Sequence, residues 1–348
     1  MKKILVTGGA GFIGSSFLRY LLREHDDVRV VNYDKLTYCG NLENLRDIEK
    51  DPRYSFVKGD ICDMEQVLEA LGDDTDVVVN YAAESHVDRS VLDPTVFVSN
   101  NVLGTQVMLE ACRRREVPRF HQISTDEVFG EIGLDEDRAF KEGDVYLPKS
   151  PYSASKAASN HVVRAYHHTF GLPVTISYCC NNYGPYQFPE KLIPLFVTNA
   201  MEDRPLPLFR SSQNTREWIH ADDHSAAVDV ILERGRMGES YNIGTGVERS
   251  VEQITDLILD ILGKPSSLKT YVPDRPGHDS RYLVDSTKIR TELGWEPKIG
   301  FNEGIRQTVE WYRGNPDWWQ RVKSGAYQDY YRQYYSETLK DEAVRTTV

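Results

Sequence analysis

Tyr152 and Lys156 are the first residues in this sequence whose spacing indicates chemistry. Four positions apart on a helix, the phenol and the ammonium lie one turn apart on the same face. Positive charge favours the phenolate, and a general base needs a pKa near the working pH. Because free tyrosine titrates near 10, reaching about 7 takes roughly 4 kcal/mol of stabilisation from nearby positive charge. Lys156 can supply part of it, so we predict that Tyr152 acts as a base.

A second stretch, Ser124-Thr125-Asp126-Glu127, places a hydroxyl before two adjacent carboxylic side chains. This arrangement offers a separate acid and base task, although solvated loop carboxylates would look the same. A Tyr-x-x-x-Lys pattern alone is common by chance on surface helices. The two stretches together make the prediction of an active site specific.

Composition excludes several classes of protein. The 348 residues can bury one large core or two smaller ones, and the formal net charge of −12 disfavours nonspecific nucleic-acid binding. An anionic small-molecule substrate would need locally clustered Lys and Arg. No apolar run has the length of a membrane helix, and the first residues do not resemble a signal peptide, so we expect a cytosolic protein. Five cysteines without metal-ligand spacing predict reduced thiols and no metal site.

The pattern of elements predicts an α/β fold. Alternating strands and helices over about 180 residues are typical of a Rossmann-type, doubly wound parallel sheet with helices on both faces. Beyond residue 182 the pattern becomes rich in Pro, Gly and aromatics, which predicts a smaller, loop-rich C-terminal substrate domain over the carboxyl edge of the sheet. Strands are predicted at 3–7, 28–33, 55–58, 76–81, 119–124, 173–179 and 241–244, and helices at 15–24, 64–72, 95–115, 151–170, 191–201, 250–263, 286–293 and 302–313.

The glycines Gly8, Gly11 and Gly14 predict a dinucleotide site. They follow a strand and open a helix, where they allow a tight turn and a close approach of the backbone to a pyrophosphate. Asp34, about 20 residues further on, would accept hydrogen bonds from the adenosine ribose. A carboxylate there repels a 2′-phosphate, which favours NAD over NADP, although the neighbouring Lys35 weakens this inference. An oxidised nicotinamide ring would add positive charge near Tyr152.

At this point the sequence resembles the extended short-chain dehydrogenase/reductases and, within them, the dTDP-glucose 4,6-dehydratases. The glycine pattern and Tyr-x-x-x-Lys support only the larger superfamily. The narrower resemblance extends to about residue 320 and rests on the sequences at 82–90 (AAESHVDRS), 124–128 (STDEV), 181–186 (NNYGPY), 191–194 (KLIP) and 275–279 (RPGHD).

The resemblance implies a role for each reactive side chain. Tyr152 would take the proton of the sugar 4-hydroxyl during oxidation at C4, with Thr125 hydrogen-bonded to the 4-oxygen. Glu127 would remove the C5 proton, and a protonated Asp126 would protonate the departing 6-hydroxyl. Lys156 would bind the nicotinamide ribose. The product would be the 4-keto-6-deoxy sugar.

The resemblance also implies the two sets of binding residues and the chain's organisation. It implies an NAD-binding domain at 1–182 with a return segment near 217–247, a nucleotide-sugar-binding region at 183–325, a peripheral tail at 326–348, and a homodimer. The cofactor set is Gly8, Gly11, Phe12, Ile13, Gly14, Asp34, Lys35, Leu36, Thr37, Asp60, Ile61, Tyr81, Ala82, Ala83, Ser85, Asn100, Tyr152, Lys156 and Asn182. The substrate set is Ser85, Thr125, Asn181, Lys191, Leu192, Pro207, Leu208, Phe209, Arg216, Asn242, Arg275, His278, Asp279 and Tyr282.

Alternatives on the same fold stay open. A nucleotide-sugar 4-epimerase would use Tyr152 and Lys156 but has no use for Asp126 and Glu127, and GDP-mannose 4,6-dehydratases usually lack the Asp of this pair. A binding-only dinucleotide sensor typically loses the Tyr or the Lys. Phe209 stands where the family commonly has Tyr, and the turn at 210–213 also departs from the family pattern. The alternative function is therefore that of a UDP-glucose 4,6-dehydratase or of a nucleotide-sugar 4-epimerase on the same fold.

Overall fold

The computed structural model describes residues 2–210, 214–273 and 280–324. Its strands are β1 (Lys2–Thr7), β2 (Val28–Asp34), β3 (Tyr54–Lys58), β4 (Val77–Asn80), β5 (Phe120–Thr125), β6 (Val174–Cys179), β7 (Asn181–Tyr183), β8 (Leu206–Phe209), β9 (Thr215–His220), β10 (Ser240–Ile243), β11 (Glu248–Ser250) and β12 (Lys269–Val272).

Its helices are α1 (Phe12–Glu24), α2 (Met64–Leu71), α3 (Val87–Leu92), α4 (Pro94–Phe97), α5 (Gly104–Arg114), α6 (Pro151–Phe170), α7 (Leu192–Met201), α8 (Ala221–Arg234), α9 (Val251–Leu262), α10 (Thr287–Leu293), α11 (Phe301–Gly314) and α12 (Pro316–Lys323). Short 3₁₀ helices lie at Leu42–Leu45, Asp126–Phe129 and Ser266–Leu268, and a π-helical segment at Val98–Leu103 connects α4 to α5.

A seven-stranded parallel sheet in the order β10-β6-β5-β4-β1-β2-β3 forms the centre of the molecule. Its inner strands β4, β5 and β6 are buried along their whole length, as expected for a parallel sheet covered by helices on both faces. The predicted Rossmann-type fold is confirmed. The strand order reverses between β1 and β4, and a ligand crevice lies at such a switch point in this type of sheet.

The second half of the chain contributes to both regions. Helix α8 packs against α1, and β10 pairs with β6 at the edge of the main sheet. Two small sheets, β11-β9-β7 and β12-β8, lie outside it. A separate apolar cluster includes Phe196, Ile258, Val309 and Trp319. The predicted division into domains stays a prediction.

Helix α8 was absent from the sequence prediction because several of its buried positions are polar. Asp223, His224 and Ser225 are all buried on this helix, so the apolar period of an amphipathic helix is interrupted. The Asp223 carboxylate accepts hydrogen bonds from the backbone N–H groups of Lys298 (2.9 Å) and Ile299 (2.8 Å). Within the described residues, no helix is both long and apolar enough to cross a membrane.

His224 makes stability depend on pH. Its ring is fully buried, neither ring nitrogen has a hydrogen-bond partner among the described residues, and burial lowers its pKa to about 3. Because the unfolded chain binds a proton near pH 6.5 and the folded chain does not, stability falls as pH decreases below that value. Between pH 7 and pH 5, this one group removes about 2 kcal/mol from the free energy of unfolding.

We therefore expect His224→Phe to lose about 2 kcal/mol less stability than the parent chain between pH 7 and pH 5. Urea unfolding at both pH values measures this difference, and any packing cost of the phenyl ring cancels because it is present at both. Equal losses in the two proteins would show that His224 is protonated in the folded state.

Candidate active site

A cavity of about 310 Å³ opens at the carboxyl edge of the main sheet. The turn between β1 and α1 forms one wall, and the ends of β2 and β4 lie beside it. The end of β5, the first turns of α6 and the connection from β6 to β7 form the opposite wall. The predicted glycine turn and the predicted proton-transferring side chains therefore line the same cavity.

Close packing requires glycine in the turn between β1 and α1. Gly8 has φ +66°, and a Cβ there would lie 2.7 Å from the backbone nitrogen of Ala82. A Cβ on Gly14 would overlap the carbonyl oxygen of Gly8. The start of α1 is therefore open to the cavity, and its first N–H groups can meet an anionic group.

Asp34 closes the other end of the cavity. Its carboxylate accepts hydrogen bonds from the N–H of Ala10 (3.0 Å) and of Leu36 (2.7 Å), and burial raises its pKa. A carboxylate has about four acceptor positions, so capacity remains for ribose hydroxyls. Lys35 Nζ lies 2.6 Å from Asp60. Because Lys35 is paired with Asp60, it does not offset the preference of Asp34 for an unphosphorylated ribose.

Tyr152 and Lys156 lie in the first turns of α6. Ser150 caps this helix through a capping box with Ser153, and Pro151 fixes its first residue. Lys156 Nζ donates a 2.7 Å hydrogen bond to the carbonyl oxygen of Ile123, and burial lowers its pKa to about 8.

Lys156 was expected to lower the pKa of Tyr152, but the protein groups alone do not lower it. Burial, followed by the carboxylate of Glu127, raises the pKa of Tyr152 well above its usual value. Thr125 opposes this through a side-chain hydrogen bond to the phenol. The phenol is therefore neutral unless a further positive charge enters the cavity.

Asp126 and Glu127 begin the 3₁₀ helix that follows β5. The Thr125 hydroxyl lies 3.3 Å from Asp126 Oδ1, and its oxygen accepts a hydrogen bond from the N–H of Glu127 (3.4 Å). Asp126 is 2% exposed, and its Oδ2 has no hydrogen-bond partner among the described residues.

The pKa of Asp126 is raised well above its usual value, first by burial and then by the charges of Glu127 and Glu217, while Arg216 lowers it. These surroundings therefore favour the protonated form of Asp126, which can donate a proton into the cavity.

The structure brings the predicted cofactor residues together. All of them line the cavity except Leu36, which lies behind it with a positive φ of 58° and contributes only its N–H to Asp34. Asn182 Oδ1 is buried without a hydrogen-bond partner among the described residues.

The predicted substrate residues divide into two groups. Ser85, Thr125, Asn181 and Lys191 line the cavity, and Lys191 Nζ donates to the carbonyl oxygen of Ser85 (3.2 Å). Outside the lining, Leu192 begins α7 and Arg216 stacks on the Tyr282 ring at 4.6 Å. Arg275, His278 and Asp279 lie outside the described residues.

The prediction for Asn242 was wrong. The residue is fully buried in β10, and its amide donates to the backbone carbonyls of Phe140 (2.8 Å) and Asp285 (3.2 Å). These bonds use both N–H groups of its side-chain amide, so neither is available to a substrate. Leu208 is also fully buried, within the C-terminal apolar cluster, so its side chain cannot contact a base, whereas Phe209 is partly exposed.

Several cavity residues were absent from the prediction. Cys39 follows the predicted stretch that ends at Thr37, and Glu84 lies between the predicted Ala83 and Ser85, so extending those runs would have found both. Phe188 lies in the aromatic stretch that was expected to face the substrate. Trp318 carries no such signal, because it reaches the cavity from α12, where its indole N–H donates to Asn44 Oδ1 (3.1 Å).

Comparison with known proteins identifies the family. The sequence model described as GDP-mannose 4,6 dehydratase matches residues 5–308. A dTDP-glucose 4,6-dehydratase of Escherichia coli is 48% identical, with 96% of this chain and 99% of the relative covered. The chain belongs to the dTDP-glucose 4,6-dehydratase family.

Solved structures agree with membership of this dehydratase family. The dTDP-glucose 4,6-dehydratase DesIV from Streptomyces venezuelae, solved with NAD bound, is 48% identical with a TM-score of 0.89, covering 92% of this chain and all of the other. A UDP-glucose 4-epimerase from Thermotoga maritima, solved with UDP-glucose, is 30% identical with a TM-score of 0.83 over 90% of this chain and 99% of the other. Because the fold is shared with epimerases, the side chains in the cavity must distinguish the two activities.

Proposed function

We propose that this chain converts dTDP-glucose into dTDP-4-keto-6-deoxyglucose and water with bound NAD. The buried carboxyl of Asp126 carries this proposal. Burial raises the pKa of this carboxyl and favours its protonated form, its Oδ2 has no partner among the described residues, and Glu127 lies next to it in the cavity that Tyr152 lines. An epimerase has no task for such an acid, whereas elimination of water from C5 and C6 needs both an acid and a base.

The residues around the cavity fit NAD. The glycine turn admits a pyrophosphate at the start of α1, and Asp34 keeps acceptor positions for ribose hydroxyls. Bound NAD would take up the C4 hydride, return it at C6, and bring the positive charge of its oxidised ring to the cavity. That positive charge would lower the pKa of Tyr152, which is raised when only the protein groups surround it.

The chain's own residues then divide the proton transfers. Tyr152 takes the proton of the 4-hydroxyl, and Thr125 hydrogen-bonds to the 4-oxygen. Oxidation at C4 makes the C5 hydrogen acidic, and Glu127 removes it. Asp126 donates its proton to the 6-hydroxyl, which leaves as water. Two neighbouring carboxyl groups in opposite protonation states provide acid and base in one site.

For the rest of the substrate, we propose that Arg216 faces the diphosphate, where a planar guanidinium suits phosphate oxygens. Its electrostatic effect on Asp126 supports this placement beside the cavity. Lys191 and Asn181 would contact the sugar side, and Phe209 the base. A UDP-sugar dehydratase is the second candidate, because Phe209 departs from the tyrosine that is common in the family.

The reaction is tested with dTDP-glucose deuterated at C4, and UDP- and GDP-glucose serve as comparison substrates. We expect a product that is lighter by one water and carries the deuterium at C6, since the hydrogen removed from C4 returns within the same turnover. Mass spectrometry and NMR measure both properties. Net accumulation of reduced cofactor equal to the product formed would contradict the proposal, and turnover of UDP-glucose alone would replace dTDP by UDP.

Glu127→Gln separates oxidation from elimination. The amide keeps the shape of the side chain but cannot accept the C5 proton, so we expect C5 exchange with solvent deuterium to slow about 100-fold or more. Asp126→Asn removes only the acid and should retain much of the C5 exchange while losing water elimination. NMR of the recovered sugar measures the exchange.

Glu136→Gln, a carboxylate-to-amide change outside the cavity lining, is the matched control and should exchange at the parent rate. Parent-rate exchange in Glu127→Gln would assign the base to another residue.

We further propose that the protein acts in the cytoplasm as a homodimer. We expect the contact on the helices near 95–115 and 151–170, where large apolar side chains are exposed. Val98 and Leu103, at the two ends of the π-helical segment, are 55% and 50% exposed, and Phe170 at the end of α6 is 54% exposed. Exposed apolar side chains of this size support an interaction surface on these helices.

A dimer has twice the 39.8 kDa mass of the chain, which light scattering after size-exclusion chromatography measures. We expect Val98→Lys to shift the mass toward the monomer, because a buried lysine without a partner is unfavourable at an interface. Met237→Lys, at another exposed apolar position between α8 and β10, should leave the mass unchanged. A monomeric parent protein would rule out the dimer.

A further inference from the structure

A buried carboxylate connects two loops that both supply residues to the cavity lining. Glu190 is 6% exposed and lies just before Lys191. Its Oε1 accepts a 3.0 Å hydrogen bond from the Tyr38 hydroxyl. Tyr38 belongs to the loop 35–41, which follows Asp34 on the adenosine side, and Glu190 belongs to the segment 184–191 on the sugar side. More than 150 residues separate the two in sequence.

Further contacts hold Tyr38 in this position. The guanidinium of Arg89 lies 3.6 Å from the centre of the Tyr38 ring, and the Phe188 ring meets it edge-on at 5.6 Å. His86 Nε2 and Cys39 Sγ each lie 3.9 Å from Glu190 Oε1. Burial of a carboxylate is unfavourable unless polar groups surround it, so this cluster specifies one arrangement of the two loops.

The same loops supply lining residues to the cavity, but Tyr38 and Glu190 do not line it. Thr37, Cys39, Gly40 and Asn41 do so from the first loop, and Gln187, Phe188 and Lys191 from the second. The backbone of the first loop is tied to the glycine turn, because the N–H of Asn41 donates to the carbonyl oxygen of Ala10 (3.0 Å). Movement of Tyr38 away from Glu190 would therefore widen the cavity at its adenosine end.

We propose that Tyr38 and Glu190 form a clamp that retains NAD through the whole catalytic cycle. Both are positioning residues, since they act through the loops that line the cavity. The inference rests on the proposed function, in which hydrogen leaves C4 and returns to C6 within one turnover. If the cofactor left between the two transfers, the sugar would remain oxidised at C4 and could not be reduced at C6. This reaction therefore requires that NAD stays bound, whereas an ordinary dehydrogenase must release its cofactor after each turnover.

Exchange of bound NAD tests the clamp without any turnover. The holoenzyme is loaded with isotopically labelled NAD and chased with unlabelled NAD, and retained label is measured over time. Tyr38→Phe removes one hydroxyl and keeps the ring between Arg89 and Phe188. Since the lost hydrogen bond is made to a buried carboxyl group, we expect exchange about tenfold faster or more. Glu190→Gln should also accelerate exchange, and the double variant should be less than additive.

Tyr271→Phe is the matched control, because it removes another Tyr–Glu hydrogen bond, to Glu252 at 2.9 Å on the surface. It should exchange at the parent rate. Thermal unfolding in saturating NAD checks that each variant is folded. If Tyr38→Phe does not fold, the exchange rate of Glu190→Gln tests the clamp instead. Parent-rate exchange in the folded clamp variants, or equal acceleration in Tyr271→Phe, would overturn the clamp. If the clamp variants exchange NAD faster but the parent protein has no dehydratase activity, the proposed function is refuted and the clamp is not.

Discussion

Burial in the cavity shifts the pKa of three of its reactive groups, Asp126, Tyr152 and Lys156. Burial makes the charged form of a side chain unfavourable, and the effect differs by residue. It favours the protonated form of Asp126, which suits an acid, and the protonated form of Tyr152, which opposes its use as a base. It also weakens the hold of Lys156 on its proton. One environment thus prepares the acid but leaves the base dependent on positive charge from outside the chain.

The main sheet makes this arrangement possible, because its parallel strands end at one edge. Strand β5 ends at Thr125, directly before Asp126 and Glu127, and α6 returns over the sheet with Tyr152 in its first turn. Lys156 connects the two elements through the carbonyl oxygen of Ile123. A shift of α6 along β5 would break this bond and separate the phenol from the carboxyl pair. The distance between the base and the acid is therefore set by the fold, and the loops only complete the cavity.

The parts of this architecture that depend on local sequence were predictable, and those that depend on packing partners were not. The glycine turn, the spacing to Asp34 and the capped start of α6 are each encoded within a few residues. The Val98–Leu103 π-helical segment is different, since its sequence reads as ordinary helix. In the structure it brings Asn100 to the cavity, while the Asn101 side chain bonds to both the N–H (2.8 Å) and the carbonyl (2.9 Å) of Glu84. The prediction for Asn242 was wrong for the same reason, because its hydrogen-bond partners, Phe140 and Asp285, are distant in sequence.

The carboxylates around the cavity illustrate why residue type alone does not assign a role. Asp34, Asp126 and Glu217 are all buried, yet their surroundings differ. Asp34 accepts two backbone N–H bonds and keeps capacity for a ligand. Glu217 accepts bonds from the N–H groups of Gly246 (2.6 Å) and Val284 (3.2 Å), and burial raises its pKa to about 7.

Asp126 has a hydroxyl contact at one oxygen and no partner among the described residues at the other. Backbone donors stabilise a carboxylate where it stands, whereas a buried carboxyl oxygen without a donor favours the neutral acid. Because all three carboxyl groups are buried, the partners of each oxygen distinguish a carboxylate that organises loops from one that can give up a proton to a substrate.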